Sequence, residues 1–155
     1  MIEQGLQQEI NMVMTEARNR RLEFVTVEHL LLALLNMDEV IAFLRGKRVN
    51  IDELRAELDQ YIDSHTPIIS EDAEIDIVPT VGFQRVLQRS VYQAQSAQKN
   101  SVNAMNVFVS IFSEKESHAV YMLKLNNISR LDVMEGISSH LADNPVEETK
   151  KVEGD

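Results

Sequence analysis

The chain has 155 residues, with 15 Lys and Arg against 25 Asp and Glu, so its net charge is −10. Its 5 Gly and 3 Pro are together less than half of average usage, whereas turn-rich β architectures need more of both. The absence of Cys excludes disulfides, thiolate metal sites and Cys nucleophiles, and it agrees with a reducing compartment. We therefore expect an all-α cytoplasmic protein for which nucleic acid and anionic membranes are poor partners.

Proline marks the boundaries within the chain. Residues 1–66 and 80–144 contain no proline, and each tract is long enough for four helices. We expect the two repeats to cover about 1–66 and 80–142. Two prolines bracket the acidic connector, residues 67–79, which we interpret as irregular. The last residues, 143–155, are rich in charge and are typical of a solvated, flexible tether.

The two tracts resemble each other when they are compared in register. At an offset of 77 residues, and of 79 residues towards the end, apolar positions coincide: Leu6 with Phe83, Ile10 with Leu87, Val25 with Val102, Leu44 with Leu123 and Leu58 with Ile137. The expected N-caps coincide as well: Thr26 with Asn103, and the capping-box pairs Asn50–Glu53 with Ser129–Asp132. This pattern favours an internal duplication of about 75 residues.

Within each repeat the apolar spacing is helical. We predict an amphipathic helix, a loop, a buried helix, a short helix near 39–46 or 116–125, and a final amphipathic helix. Two such units packed back to back bury more apolar surface per residue than one can bury alone. The predicted fold is therefore all-α, with two tandem four-helix repeats in a pseudo-two-fold bundle.

The motifs of common enzymes are missing from the sequence. Gly46 and Lys47 lack the preceding Gly and the following Ser or Thr of a phosphate loop, so we expect no ATP site in this chain. None of the four histidines has the HExxH spacing of zinc hydrolases, and we expect His29 to be hydrogen-bonded or to face solvent. We therefore predict no catalytic residue, no metal and no cofactor here.

The charged residues that packing does not explain lie before two helices. In the first repeat they are Arg18, Arg20, Arg21, Glu23 and Glu28, and simple solubility of the loop is one explanation. In the second repeat Thr80 is the expected cap, Phe83 points inward, and Arg85 and Arg89 share one side of a helix. Like charges at this spacing repel each other weakly, so a nearby acid within the chain or a partner protein would relieve them.

Three segments carry a resemblance to a known family. EFVTVEHLLLALL in the first repeat, and GFQRVLQRSVYQAQS and NVFVSIFSEKESHAVYMLKLNNISRLDV in the second, resemble the N-terminal domain of Clp-family ATPases, the unfoldase subunits of ATP-dependent proteases. They are most similar to the ClpA branch. The resemblance covers residues 1–142 and implies a compact all-α domain, tethered by residues 143–155 to ATPase modules that lie outside this sequence.

The resemblance also implies partners and binding residues. It implies docking of the adaptor ClpS, delivery of protein substrates for degradation, and a full-length subunit that forms a hexamer and docks the ClpP peptidase, with ATP and Mg²⁺ bound only by the ATPase modules. The isolated domain is expected to be a monomer. The adaptor surface carried over to this sequence consists of Glu23, Glu28, Thr80 and Arg85, with Arg89 as a weaker addition.

Two alternatives remain open at this point. One is direct capture of unfolded peptide in an apolar groove between the repeats, which would need exposed apolar residues. The other is a small metal-dependent or hydrolytic enzyme that uses His29 with nearby acids.

Overall fold

The computed structural model of the protein describes residues 1–71 and 76–143. The helices and strands of these ranges are α1 (Gln4–Asn19), β1 (Phe24–Val25), α2 (Val27–Leu34), α3 (Asp38–Gly46), α4 (Ile51–His65), β2 (Val78–Pro79), α5 (Val81–Ser96), α6 (Ala104–Ile111), α7 (His118–Leu125) and α8 (Arg130–Asp143). The prediction of two four-helix repeats is confirmed. The short strands were not predicted.

The duplication is visible in where the helices begin. Helices α1 and α5 begin at residues 4 and 81, and α2 and α6 begin at residues 27 and 104, so both pairs are separated by 77 positions. Helices α4 and α8 begin at residues 51 and 130, after the two additional residues that the sequence comparison required. Equivalent elements therefore recur at the offsets seen in the sequence.

Side chains cap the helices where the sequence predicts them. Thr26 accepts from the amide of His29, and Asn103 accepts from that of Asn106; in both pairs the second side chain bonds back to the amide of the cap. Ser129 and Asp132 form the same reciprocal pair. Asn50 accepts from the Glu53 amide, but no return bond from the Glu53 side chain completes the predicted box. These bonds satisfy amides that a helix start leaves unpaired.

Four helices end at a residue with left-handed backbone conformation, and none of these four residues is glycine. Arg21, Arg48, Gln98 and Asn127 have φ between 58° and 62°. At each one the amide of the following residue bonds to a carbonyl five positions earlier, for example Leu22 to Ala17 and Ile128 to Leu123 at 3.0 and 2.9 Å. This pattern is a Schellman motif, in which an apolar contact across the helix end offsets the cost of the left-handed conformation. The helices therefore end sharply even though the chain contains few glycines.

The two repeats are joined by a reciprocal exchange of backbone hydrogen bonds. The Thr80 amide at the start of the second repeat bonds to the Val25 carbonyl of the first at 3.0 Å. The Glu3 amide at the start of the first repeat bonds to the Val102 carbonyl of the second at 2.9 Å. These two pairs are related by the 77-residue offset. In each of them, the start of one repeat bonds to the loop that precedes the buried helix of the other repeat.

The connector is more ordered at its ends than the sequence predicts. β1 and β2 pair in parallel, with Phe24 opposite Val78 and Val25 opposite Pro79. Leu22 forms an antiparallel bridge with Ile68. The expectation of an irregular connector throughout 67–79 was therefore wrong at both ends, because backbone groups on either side of the undescribed residues 72–75 pair with the loop after α1.

One hydrophobic core extends through both repeats. Its centre contains Phe108 of α6, which is fully buried and meets the ring of Phe43 edge-on, with 5.9 Å between ring centres. Helix α2 packs on α6 and α7 of the other repeat, and α3 packs on α6. The expected back-to-back packing is therefore an interlocked arrangement, in which the short third helix of each repeat covers the buried helix of the other.

The contact between Phe43 and α8 depends on a glycine. A Cβ atom at Gly136 would lie 2.7 Å from the Phe43 ring. We expect Gly136→Ala to destabilise the protein by about 1–3 kcal/mol, because it overpacks this contact. Gly46→Ala is the matched control, because nothing lies within 4 Å of the added methyl group and alanine favours a helix. Chemical denaturation of both variants measures the difference, and equal stabilities would contradict the packing described here.

Candidate functional site

An ion pair with two hydrogen bonds lies at the start of α5. The Arg85 guanidinium donates two hydrogen bonds to the Glu114 carboxylate, at 2.9 and 2.7 Å. The hydrogen bond from Arg85 lowers the pKa of Glu114 and raises that of Arg85, and the attraction between the charges adds to both shifts. The sequence left two candidates for offsetting the repulsion between Arg85 and Arg89: an acid within the chain or a partner protein. Glu114 is such an acid within the chain.

Glycine allows this ion pair to form where it does. The Cβ position of Gly82 is 3.0 Å from the Glu114 carboxylate and 3.1 Å from Val27, so a larger residue would push the carboxylate away. Arg89, one turn beyond Arg85, also lowers the pKa of Glu114 through its charge. The Arg85 side chain remains half exposed while that of Glu114 is only 11% exposed, so the guanidinium is held in place and faces outward.

Glu23 and Thr80 lie at the strand pair that leads into this helix. The Glu23 amide bonds to the Pro67 carbonyl, and its own carbonyl accepts from the Val78 amide. Thr80 caps α5 by accepting from the Phe83 amide at 3.2 Å, and Phe83 is buried, as predicted. We call Glu23, Thr80, Arg85, Arg89 and Glu114 the α5 corner.

Glu28 was expected on the exposed surface, and this expectation was wrong. Its side chain is buried, and its Oε2 accepts a hydrogen bond from the backbone amide of Ala119 at 2.9 Å. Ala119 lies in the first turn of α7, where a helix leaves amides unpaired and favours negative charge. Glu28 therefore joins α2 of the first repeat to α7 of the second. Sequence position alone could not show this, because the two residues are 91 positions apart.

His29 is buried and does not face solvent. Its Nδ1 accepts from the Thr26 amide at 3.0 Å, so the proton of the neutral ring is on Nε2. This atom has no hydrogen-bond partner in the described part of the chain. Burial lowers the pKa of His29 to about 4, and the charge of Arg20 adds to the shift. The ring is thus neutral near pH 7 and acts as the reciprocal cap of α2.

Two of the arginines before β1, Arg18 and Arg21, bond to the connector, and Arg20 bonds to α4. Arg18 forms an ion pair with Asp76 at 3.0 Å, and Arg20 forms one with Asp63. Arg21 donates to the carbonyls of Ile69 and Ser70. The hydrogen bond from Arg18 is the main cause that lowers the pKa of Asp76. These arginines therefore have a structural role that simple loop solubility does not include.

A column of rings on α4 and α7 was not predicted. Tyr61 stacks between His65 and His118, with ring centres 4.0 and 3.8 Å apart, and Tyr121 continues the column from His118. Burial raises the pKa of Tyr61, and the charge of Glu28 adds to this shift. The column adds an aromatic contact between the repeats beside the bond from Ala119 to Glu28.

Within residues 1–71 and 76–143, no group of three His, Cys, Asp or Glu side chains is placed to hold a metal ion. In the same ranges, no helix combines the length and the apolar composition that crossing a bilayer requires.

The described residues form a duplicated helical domain with the polar α5 corner on its surface. The sequence matches the Clp repeat (R) N-terminal domain family over residues 1–126, and the chain belongs to this family. A ClpA homolog protein from Fuscovulum blasticum is 34% identical over 151 residues, which are 96% of this chain and 19% of that protein. The chain thus spans about a fifth of the length of that relative.

Solved structures share the fold at lower sequence identity. The N-terminal domain of Hsp104 from Candida albicans is 12% identical with a TM-score of 0.73, and the match covers 87% of both chains. A ClpV N-domain in complex with a VipB peptide is 15% identical with a TM-score of 0.68, and the match covers 92% of this chain and 88% of that one. The all-α class and its two-repeat architecture are those of Clp N-domains.

The bond between Glu28 and α7 can be tested by removing the acceptor. We expect Glu28→Ala to lower the free energy of unfolding by about 2–3 kcal/mol, because it leaves the buried Ala119 amide without a partner. Glu28→Gln keeps an acceptor oxygen and should cost less. Urea denaturation followed by circular dichroism measures both variants. A Glu28→Ala protein as stable as the parent would show that this bond does not hold the repeats together.

Proposed function

We propose that this chain is a non-catalytic protein-docking domain of a Clp-family ATPase, and that the α5 corner is its docking surface. The observation that carries the proposal is the Arg85–Glu114 pair, which holds an exposed guanidinium in one orientation beside a second arginine. Charges fixed in this way form directional hydrogen bonds with a partner at a small entropic cost. They also select the register of an interface.

Membership of the family supports a binding role. The ClpV N-domain of the same fold forms a complex with a VipB peptide, so this architecture presents surfaces that accept other polypeptides. The fold alone does not identify a partner. We therefore base the choice of surface on the residues of the α5 corner.

We propose the adaptor ClpS as the partner, following the resemblance of the sequence to the ClpA branch. In this proposal the domain receives the adaptor with its protein substrate and passes the substrate to a hexameric ring that docks the ClpP peptidase. ATP and Mg²⁺ would be bound by the ATPase modules of the full-length subunit. This chain would supply only the docking surface.

The proposed contacts use four of the five residues inferred from the sequence. Glu23 and Arg89 make no ion pair with other described residues, so their charges are available to a partner of opposite charge. Thr80 and Arg85 are already bonded within the domain and would present defined positions to the partner. Glu28 would act indirectly, because its buried carboxylate orients α7 and does not reach the surface.

The charge of the α5 corner provides a direct test. We expect Glu23→Lys and Arg89→Glu each to weaken ClpS binding by about threefold to tenfold, because each reverses a charge at the proposed interface. Arg85→Glu is a poorer choice, since it would also remove the two hydrogen bonds that Arg85 donates to Glu114. Isothermal titration calorimetry with purified ClpS measures the affinity.

Matched controls separate local contacts from overall charge. Glu57→Lys on α4 and Arg45→Glu on α3 change the net charge by the same amounts at exposed positions outside the corner. They should bind ClpS like the parent protein. If they weaken binding as much as the corner variants, or if the corner variants bind normally, the corner is not the docking surface.

A further inference from the structure

A groove lies in the second repeat, between the end of α6, α7 and the turn into α8. Its volume is about 440 Å³, which is within the usual range for ligand sites. The residues that line it are Phe112, Lys115, Val120, Lys124, Asn127, Ile128, Ser129 and Arg130. None of them belongs to the α5 corner, so the inference below does not rest on the adaptor proposal.

The groove combines an apolar floor with a basic rim. At least 93% of the surface of Phe112, Val120 and Ile128 is buried. Lys115, Lys124 and Arg130 are exposed, and within residues 1–71 and 76–143 none of them has an ion-pair partner. Among the residues that the structure describes, no acidic one lines the groove. In a chain with a net charge of −10, this is a local concentration of unpaired positive charge.

The equivalent place in the first repeat is bridged by an arginine. The Arg55 guanidinium donates to the Leu35 carbonyl at 3.0 Å and to the Asn36 side chain at 3.1 Å, which joins the end of α2 to α4. The residue of the second repeat at the 79-residue offset from Arg55 is Met134, which cannot donate such bonds. The second repeat therefore has no arginine at the position that makes this bridge in the first repeat.

We propose that this groove binds a peptide segment of a partner protein in which apolar side chains are flanked by acidic residues. An apolar side chain would cover the floor, and carboxylates on either side would pair with the three cations of the rim. The ligand is thus recognised by complementary charge and by burial of apolar area.

Nucleic acid fits the groove less well, although it is also anionic. Proteins that bind single strands stack successive bases on several aromatic side chains, whereas the groove lining contains one aromatic residue, Phe112. The net charge of −10 also repels a polyanion at long range. A short acidic segment of a polypeptide experiences less of this repulsion.

The test uses the intact protein and a defined probe. The probe is a fluorescein-labelled peptide with a central Leu-Phe pair flanked on both sides by Asp and Glu, and binding is followed by fluorescence anisotropy. One comparison peptide has Lys in place of the acids, and another has Ser in place of the Leu-Phe pair. We expect the probe to bind, both comparison peptides to bind at least about tenfold more weakly, and added salt to reduce the affinity of the probe.

Variants of the rim locate the binding. We expect the double variant Lys124→Glu/Arg130→Glu to weaken probe binding about tenfold or more. The control double variant Arg45→Glu/Lys99→Glu makes the same change in net charge at exposed residues outside the groove, and Arg45 is the equivalent of Lys124 in the first repeat. It should bind the probe like the parent protein. Circular dichroism verifies that both double variants remain folded.

Other results would overturn the proposal. These are no binding of the probe, equal losses in the two double variants, equal binding of the Lys-containing peptide, or tighter binding of a 15-nucleotide RNA that the rim variant abolishes. The affinity of Lys124→Glu/Arg130→Glu for ClpS is measured in parallel and should not change. Failure of the groove and failure of the α5 corner are thereby distinguished.

Discussion

The structure depends on a reciprocal exchange between the two repeats. The start of each repeat pairs with the loop of the other, through the Thr80–Val25 and Glu3–Val102 hydrogen bonds. The Ala119–Glu28 bond adds a second connection, between α2 and α7. The buried helices α2 and α6 are apolar on nearly all sides, and helices of this kind need neighbours around them. Each repeat supplies part of the cover that the other lacks.

The same exchange positions the α5 corner. Because the Thr80 amide bonds to Val25 of the first repeat, α5 begins at the junction between the two repeats. The first repeat has the equivalent junction at Glu3, which forms no side-chain cap. Met37 stands at the position equivalent to Glu114, near Gly5 rather than Gly82. One fold with approximate symmetry therefore carries an ion pair at only one of two equivalent places.

Much of the fold could be predicted from residue patterns. Helical periodicity and capping depend on neighbours within four positions. The caps at Thr26, Thr80 and Asn103, and the 77-residue offset between the two repeats, could therefore be identified from the sequence. The helix ends at Arg21 and Arg48 were not, because glycine is the usual sign of a left-handed cap.

The candidate site was less predictable for a related reason. Glu28 lies in a motif that reads as an exposed helix start, and only its contact with Ala119, 91 positions away, shows that it is buried. Glu114 was missed because its role depends on the close approach of the segment between α6 and α7 to Gly82 and Arg85 of α5. Contacts between elements distant in sequence decide these roles, and such contacts leave no local signal.

The most direct test of mutual completion is to produce residues 1–71 and residues 76–143 as separate polypeptides. Circular dichroism and analytical ultracentrifugation at low micromolar concentration would measure their structure and association. The account predicts that each piece alone lacks a cooperative thermal transition, and that mixing the two restores a folded one-to-one complex. A monomeric first repeat that melts cooperatively by itself would contradict it.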